Sequence, residues 1–219
     1  MKKKTRSNAA QEERLFLWVA LVVALFFGAG GLFLIVSLNH REKAASIKSE
    51  KPRDLVDFSL TASSGQTVTR ADLNDKILAV SFLFTSCSLT CPVVSRSMAE
   101  IQQLTTNAAD VRLLSLTVDP RSDTAPVLAK WGAKFGADTN RWFMLTGDKT
   151  ILHRVIGTSF LETETNNPFN SMPGNFTGTE RIAVVDQHGH VIRYFDGLRM
   201  ETPAAVAAEI ARVRKENHL

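Results

Sequence analysis

The longest apolar stretch of the chain is Leu15 to Leu38, LFLWVALVVALFFGAGGLFLIVSL, 24 residues without a charge. At about 1.5 Å per residue, a helix of that length crosses a hydrocarbon core of about 30 Å. Gly28, Gly30 and Gly31 would weaken a soluble helix but are tolerated in lipid, and Trp18 lies near one end, where interfacial aromatics belong. A cleaved signal peptide is the rival reading. Its apolar region would run about 7–15 residues and end at a small-x-small site. Gly28-Ala29-Gly30 is small enough, but the apolar run continues to Leu38; Ala44-Ala45-Ser46 lies beyond the charged His40-Arg41-Glu42-Lys43. Neither closes the apolar region, so an anchor is favoured. Lys2, Lys3, Lys4 and Arg6 precede the span, while the flank after it mixes both signs. The positive-inside rule then gives a cytoplasmic tail at 1–14, a transmembrane anchor at 15–38, and the remainder on the outer, periplasmic side. Residues 39–54 are polar, contain Pro52 and read as a linker; 55–219 reads as one domain.

Within that domain the patterns are shorter. Phe58-Ser59-Leu60 opens a strand, Ser64-Gly65-Gln66 supplies a turn, and Thr69 to Leu73 fits a short helical turn. Ile77–Phe84 (ILAVSFLF) and Val111–Val118 (VRLLSLTV) are nearly continuous apolar runs of strand length, the mark of strands buried on both faces. Pro92 suits the first turn of a helix, on which Val93, Val94, Met98, Ile101 and Leu104 share one face. Asp123-Thr124 is expected to cap a helix to about Phe135, with Pro126 in its first turn and Gly136 beyond its end. Trp142–Leu145 is a third short strand, and Asp148 caps a helix to about Ile156. Glu162–Gly178 reads as a long loop, of the length that is often functional. Arg181–Val185 and Val191–Phe195 form a hairpin around Gln187-His188-Gly189, and Thr202-Pro203 starts a terminal helix. Alternating strands and helices closed by a hairpin predict an α/β domain, a mixed sheet covered by helices.

Composition narrows the function classes. An apolar content of 44% and a charged content of 22% are ordinary for a globular protein. The formal charge of +4 comes largely from the N-terminal tail, and the domain has no long basic run and a single Tyr, so nothing marks a nucleic-acid surface.

The candidate chemistry lies in the only two cysteines, Cys87 and Cys91, in Phe82-Leu83-Phe84-Thr85-Ser86-Cys87-Ser88-Leu89-Thr90-Cys91-Pro92. A stapling disulfide usually closes a longer loop, because that constrains the unfolded chain more. A close pair in an otherwise cysteine-free chain points to a metal site or a reversible disulfide. Cys87 follows a buried strand and Cys91 stands at a helix start, where amide N–H groups lower thiol pKa values. A spacing of four puts both sulfurs on one side of a turn, and soft thiolates favour Cu(I) or zinc. On this chemistry alone, metal binding and thiol redox stand level.

FLFTSCSLTCP, followed by LLSLTVDP, a capped helix, FMLTGD and the hairpin Val185 to Gly189, resembles the Sco/SenC family of copper-binding, thioredoxin-fold proteins from about Leu55 to the C-terminus. The resemblance implies a thioredoxin-like sheet flanked by helices. It also implies copper as cofactor or cargo, held by Cys87 and Cys91, and a role in delivering it to the copper-site subunit of a membrane respiratory complex, cytochrome c oxidase. Some members are thought to reduce that site, which makes other thiol proteins partners and thiol–disulfide oxidoreductase the alternative activity. A docking factor that uses neither thiol is a third reading.

One feature departs from the family pattern. Members supply a histidine ligand before the strand that leads into the hairpin, and the matching position here is Gly178, with no histidine between His153 and His188. His188 and His190 read as exposed turn residues, His153 as a surface or partly buried helix residue, and Met98 and Met144 as packing. Met172 offers a soft thioether, though loop methionines more often fill gaps. Asp119, at a strand end near the cysteines, either tunes the site or shapes the Asp119-Pro120 turn.

Overall fold

A computed structural model of the chain describes residues 46–160 and 180–216. The expected cytoplasmic tail, the span 15–38, the whole 162–178 loop region with Met172 and Gly178, and the first part of the linker lie outside the described residues. No helix among the described residues is long and apolar enough to cross a membrane.

The strands are β1 (Ser46–Asp54), β2 (Ser59–Ala62), β3 (Thr67–Thr69), β4 (Ile77–Leu83), β5 (Val111–Thr117), β6 (Trp142–Thr146), β7 (Arg181–Val185) and β8 (His190–Asp196). The helices are α1 (Thr90–Leu104), α2 (Ala125–Lys134), α3 (Lys149–Phe160) and α4 (Thr202–Glu216), with a 3₁₀ turn at Ala71–Leu73. All eight strands form one mixed sheet in the order β1-β8-β7-β4-β5-β6-β2-β3. Its centre, β4-β5-β6, is parallel, and β7 runs antiparallel to β4.

Both faces of the sheet are covered, which is why β4 reads as an unbroken apolar run. Ile77, Ala79 and Leu83 pack with Val94, Met98 and Ile101 of α1, Leu128 and Trp131 of α2, and Val206 and Ile210 of α4. Leu78, Val80 and Phe82, one residue out of phase, pack with Leu152, Val155, Ile156 and Phe160 of α3. A strand's two-residue period delivers one set to each layer.

Three elements depart from the sequence reading. The stretch 46–54, expected within the linker, forms an edge strand paired with β8, with an irregular register between Lys48 and Arg53. An edge strand with such an irregularity accommodates Pro52, since a proline there forfeits no central ladder bond. Leu104 is 58% exposed: the buried set of α1 steps through Cys91, Val94, Met98 and Ile101 to Thr105, and Leu104 falls beside that track. Asp123 does not cap α2. Thr124 is the capping residue and makes no side-chain cap bond, while Asp123 turns inward. By contrast, Asp148 caps α3 as expected, its carboxylate accepting from the N–H groups of Thr150 and Ile151 at 2.8 and 3.1 Å.

Candidate functional site

The polypeptide leaves the central strand β4 at Leu83 and enters α1 at Thr90, so the cysteine segment is the short link between a rigid strand and a rigid helix at one rim of the sheet. The link folds back at once: the Cys87 N–H donates to the Phe84 carbonyl at 3.0 Å. Cys87 is half-buried, Cys91 is 1% exposed, and neither is in a disulfide. The Cys87 sulfur accepts from the Cys91 backbone N–H at 3.3 Å and lies 3.4 Å from the Thr90 hydroxyl. It occupies the place of a helix-capping oxygen, using amides the first turn leaves without internal partners.

These contacts split the two thiols. Burial pushes Cys87 upward, but hydrogen bonds from Thr90, from the Cys91 thiol and from the Cys91 and Leu89 backbone outweigh it and bring the thiol down to about 7. Burial pushes Cys91 up to about 12, helped by its hydrogen bond to Cys87 and by that neighbour's negative charge, against smaller opposing contacts from the Phe84 backbone and Thr90. Near neutrality, therefore, the outer sulfur is substantially thiolate and the inner one is a thiol. The pair touches within one turn, as the four-residue spacing requires, and Leu89 between them is 80% exposed. Two adjacent soft sulfurs, one of them partly thiolate near neutrality, have the donor character that suits Cu(I), which needs few ligands.

The other residues singled out from sequence are not brought to this rim. Leu78 pairs with Val185 and Ser81 with Ile182, so the hairpin turn after β7 lies at the end of the sheet opposite Cys87. His190 is held there between Asp186 and Asp54 at 3.1 and 3.4 Å, and His188 beside it is exposed. His153 is half-buried on α3, its imidazole held below the usual range by burial and by Lys149. Met98 and Met144 are fully buried packing residues. Asp119 shapes a turn, its carbonyl accepting from Ser122 and Asp123. Among the described residues no group of three His, Cys, Asp or Glu side chains forms a metal site.

The residue that sequence reading missed is Asp123. It is 0% exposed, and its carboxylate accepts from the Thr85 N–H at 3.1 and 3.2 Å, the Thr85 hydroxyl at 2.5 Å and the Thr117 hydroxyl at 2.5 Å.

Comparison with known proteins agrees with this fold. The family model described as SCO1/SenC matches residues 48–215. The SCO1 protein homolog of Bacillus subtilis is 29% identical over 102 residues, 46% of this chain and 53% of that protein, so the match spans about half the relative's length. The crystal structure of a SCO1/SenC family lipoprotein from Bacillus anthracis superposes with a TM-score of 0.62 at 26% identity, over 75% of this chain and 98% of the other. The structure of Bradyrhizobium japonicum ScoI with copper bound gives a TM-score of 0.56 at 25% identity, over 72% and 98%. The mixed sheet with its layered helices is thus the thioredoxin-like fold of those proteins. With a family match that covers nearly the whole described domain and two adjoining thiols at the strand–helix link, this chain belongs to the SCO1/SenC family.

Proposed function

We propose that the chain is a membrane-anchored copper-binding protein of cytochrome c oxidase assembly that carries copper as cargo on Cys87 and Cys91. The observation that supports this most is the pair of adjoining thiols at the strand–helix link, one of them poised as a thiolate near neutral pH. The described likeness to a copper-bound ScoI supports the choice of metal. The naming of the Sco family as cytochrome c oxidase assembly proteins supports the client. The apolar run 15–38 supports a single anchor, with the tail 1–14 inside and the domain outside. Since β1 begins at Ser46, the tether in this reading shortens to 39–45.

Delivery follows from the split between the thiols. The outer sulfur meets copper first as a thiolate, and the inner sulfur completes the grip by losing a proton. Return of that proton at Cys91 weakens the hold, so a partner site with more ligands draws the ion away. With Gly178 where the family has histidine, Cu(II), which benefits more from a nitrogen ligand, is held less tightly than Cu(I). The test is metal titration of the reduced full-length chain. Wild type is expected to take up one Cu(I) and to bind Cu(II) more weakly, and the Cys87→Ser, Cys91→Ser double variant to take up none. Unchanged Cu(I) uptake by the double variant removes the proposal; equal, tight binding of both oxidation states removes its preference for Cu(I).

The same split supports a second reading, thiol–disulfide exchange. The Cys87 thiolate attacks a partner disulfide and releases one partner thiolate. Cys91, losing its proton, then attacks the Cys87 sulfur, releases the second thiolate and leaves a Cys87–Cys91 disulfide, so the partner gains the two electrons this pair gives up. A Cys87–Cys91 couple that fails to equilibrate with glutathione or a dithiol protein would eliminate it.

A further inference from the structure

Asp123 is a buried acid that neither copper binding nor thiol exchange employs directly, yet its bonds run to the cysteine link. The peptide unit joining Phe84 to Thr85 is gripped at both ends. Its N–H, that of Thr85, donates to both carboxylate oxygens of Asp123. Its C=O, that of Phe84, accepts from the Cys87 N–H. The Thr85 hydroxyl adds a second bond to the same carboxylate. A peptide plane is rigid, so fixing one end fixes the direction of the other. On its other side Asp123 accepts from Thr117 at the end of β5, a bond that does not touch the cysteine link.

We infer that Asp123 is the positioning residue of the thiol pair: it clamps the Phe84–Thr85 peptide and so sets where the Cys87 sulfur stands relative to Cys91. This rests on the reading of Cys87 and Cys91 as the working pair. Hydrogen bonds to a carboxylate are stronger than those to a neutral acceptor, and a carboxylate presents two acceptor oxygens to three donor groups. An asparagine keeps the shape but offers one acceptor oxygen and an NH₂ group. The two threonine hydroxyls can turn to accept from that group; the Thr85 N–H cannot.

The experiment compares full-length Asp123→Asn, Thr85→Val and Thr117→Val with wild type in three measurements: melting temperature, Cu(I) affinity by competition titration, and alkylation rate of Cys87 in the copper-free chain. Asp123→Asn is expected to weaken Cu(I) binding by about 10–100-fold, the range seen when groups that orient metal ligands are removed. Thr85→Val, which removes only the hydroxyl bond, is expected to shift both thiol readouts in the same direction by less, and Thr85→Ser to restore them. Thr117→Val takes a bond from the other side of the carboxylate and is expected to lower the melting temperature while leaving the thiol readouts near wild type. If Thr117→Val weakens copper binding as much as Thr85→Val, Asp123 only holds the fold together and the inference fails. It also fails if folded Asp123→Asn matches wild type in both thiol readouts. Should Asp123→Asn not fold, the two threonine variants decide. Should wild type bind no Cu(I), the copper reading falls by itself, and the alkylation rates still decide the role of Asp123.

Discussion

Iodoacetamide added at pH 8 to the reduced, metal-free chain is expected to alkylate Cys87 about 10²-fold faster than Cys91. With thiols at about 7 and about 12, the thiolate fractions at that pH differ by about 10⁴. The more basic sulfur is intrinsically the better nucleophile, and a Brønsted slope of about 0.45 over that gap gives back about 10². Burial of Cys91 adds to the remaining preference, because the reagent must reach a sulfur that is 1% exposed. The pH dependence has a definite sign. A lowered thiol pKa places the reactive anion at lower pH, so the Cys87 rate falls about tenfold per unit below about 7 and levels off above it, while Cys91 stays slow throughout. Peptide mapping by mass spectrometry after timed quenching measures both rates; equal labelling of the two cysteines would show that the thiols are not split. Cu(I) bound by both sulfurs is expected to protect both.

Trp142→Ala is expected to lower the unfolding free energy by about 3–5 kcal/mol, the largest loss from any single side chain considered for this domain. Trp142 is fully buried in β6, and its indole N–H donates to Ser115 at 2.9 Å. Ser115 in turn is 2.8 Å from Ser81 of β4, the residue it faces across the parallel pair. Truncation therefore opens a cavity and also removes one end of a buried hydrogen-bond chain that runs from the β6 indole to hydroxyls of β5 and β4. Trp142→Phe, which keeps most of the apolar volume and loses the donor, is expected to cost about 1–2 kcal/mol. Chemical denaturation followed by fluorescence or circular dichroism measures both. If Trp142→Ala costs no more than Trp142→Phe, the indole does not fill the core as described. The cysteine link leaves β4 beyond this hydrogen-bond chain, so the folded Trp142→Phe variant is expected to keep the alkylation preference.

What could be read early was whatever the chain encodes locally. The apolar runs 77–84 and 111–118 announced central strands because covering helices on both faces leave no room for a polar alternate. The helix after Cys91, the Asp148 cap and the hairpin around Gly189, where φ is +94°, depend on residues within a few positions of one another. The strand β1 carries no such signal. Ser46 to Asp54 is polar and contains a proline, and it is a strand only because β8, about 140 positions later, offers it an edge. Asp123 misled for a related reason. An acid ahead of a helix ordinarily caps it, and Thr85, which supplies three of the bonds that draw this one inward, becomes its neighbour only when β4 and β5 pair.

Sequence by itself determined that this protein has a two-thiol centre between a buried strand and a helix, within an α/β domain, because residue type and short spacing are enough to specify both. Tertiary structure alone decided that one thiol is half-buried and more acidic and the other buried and weakly acidic, that the hairpin histidines stand at the far end of the sheet, and that a buried aspartate grips the thiol-bearing link. Acidity, distance and burial are properties of surroundings assembled from distant parts of the chain, and they come into being only when the sheet closes its register.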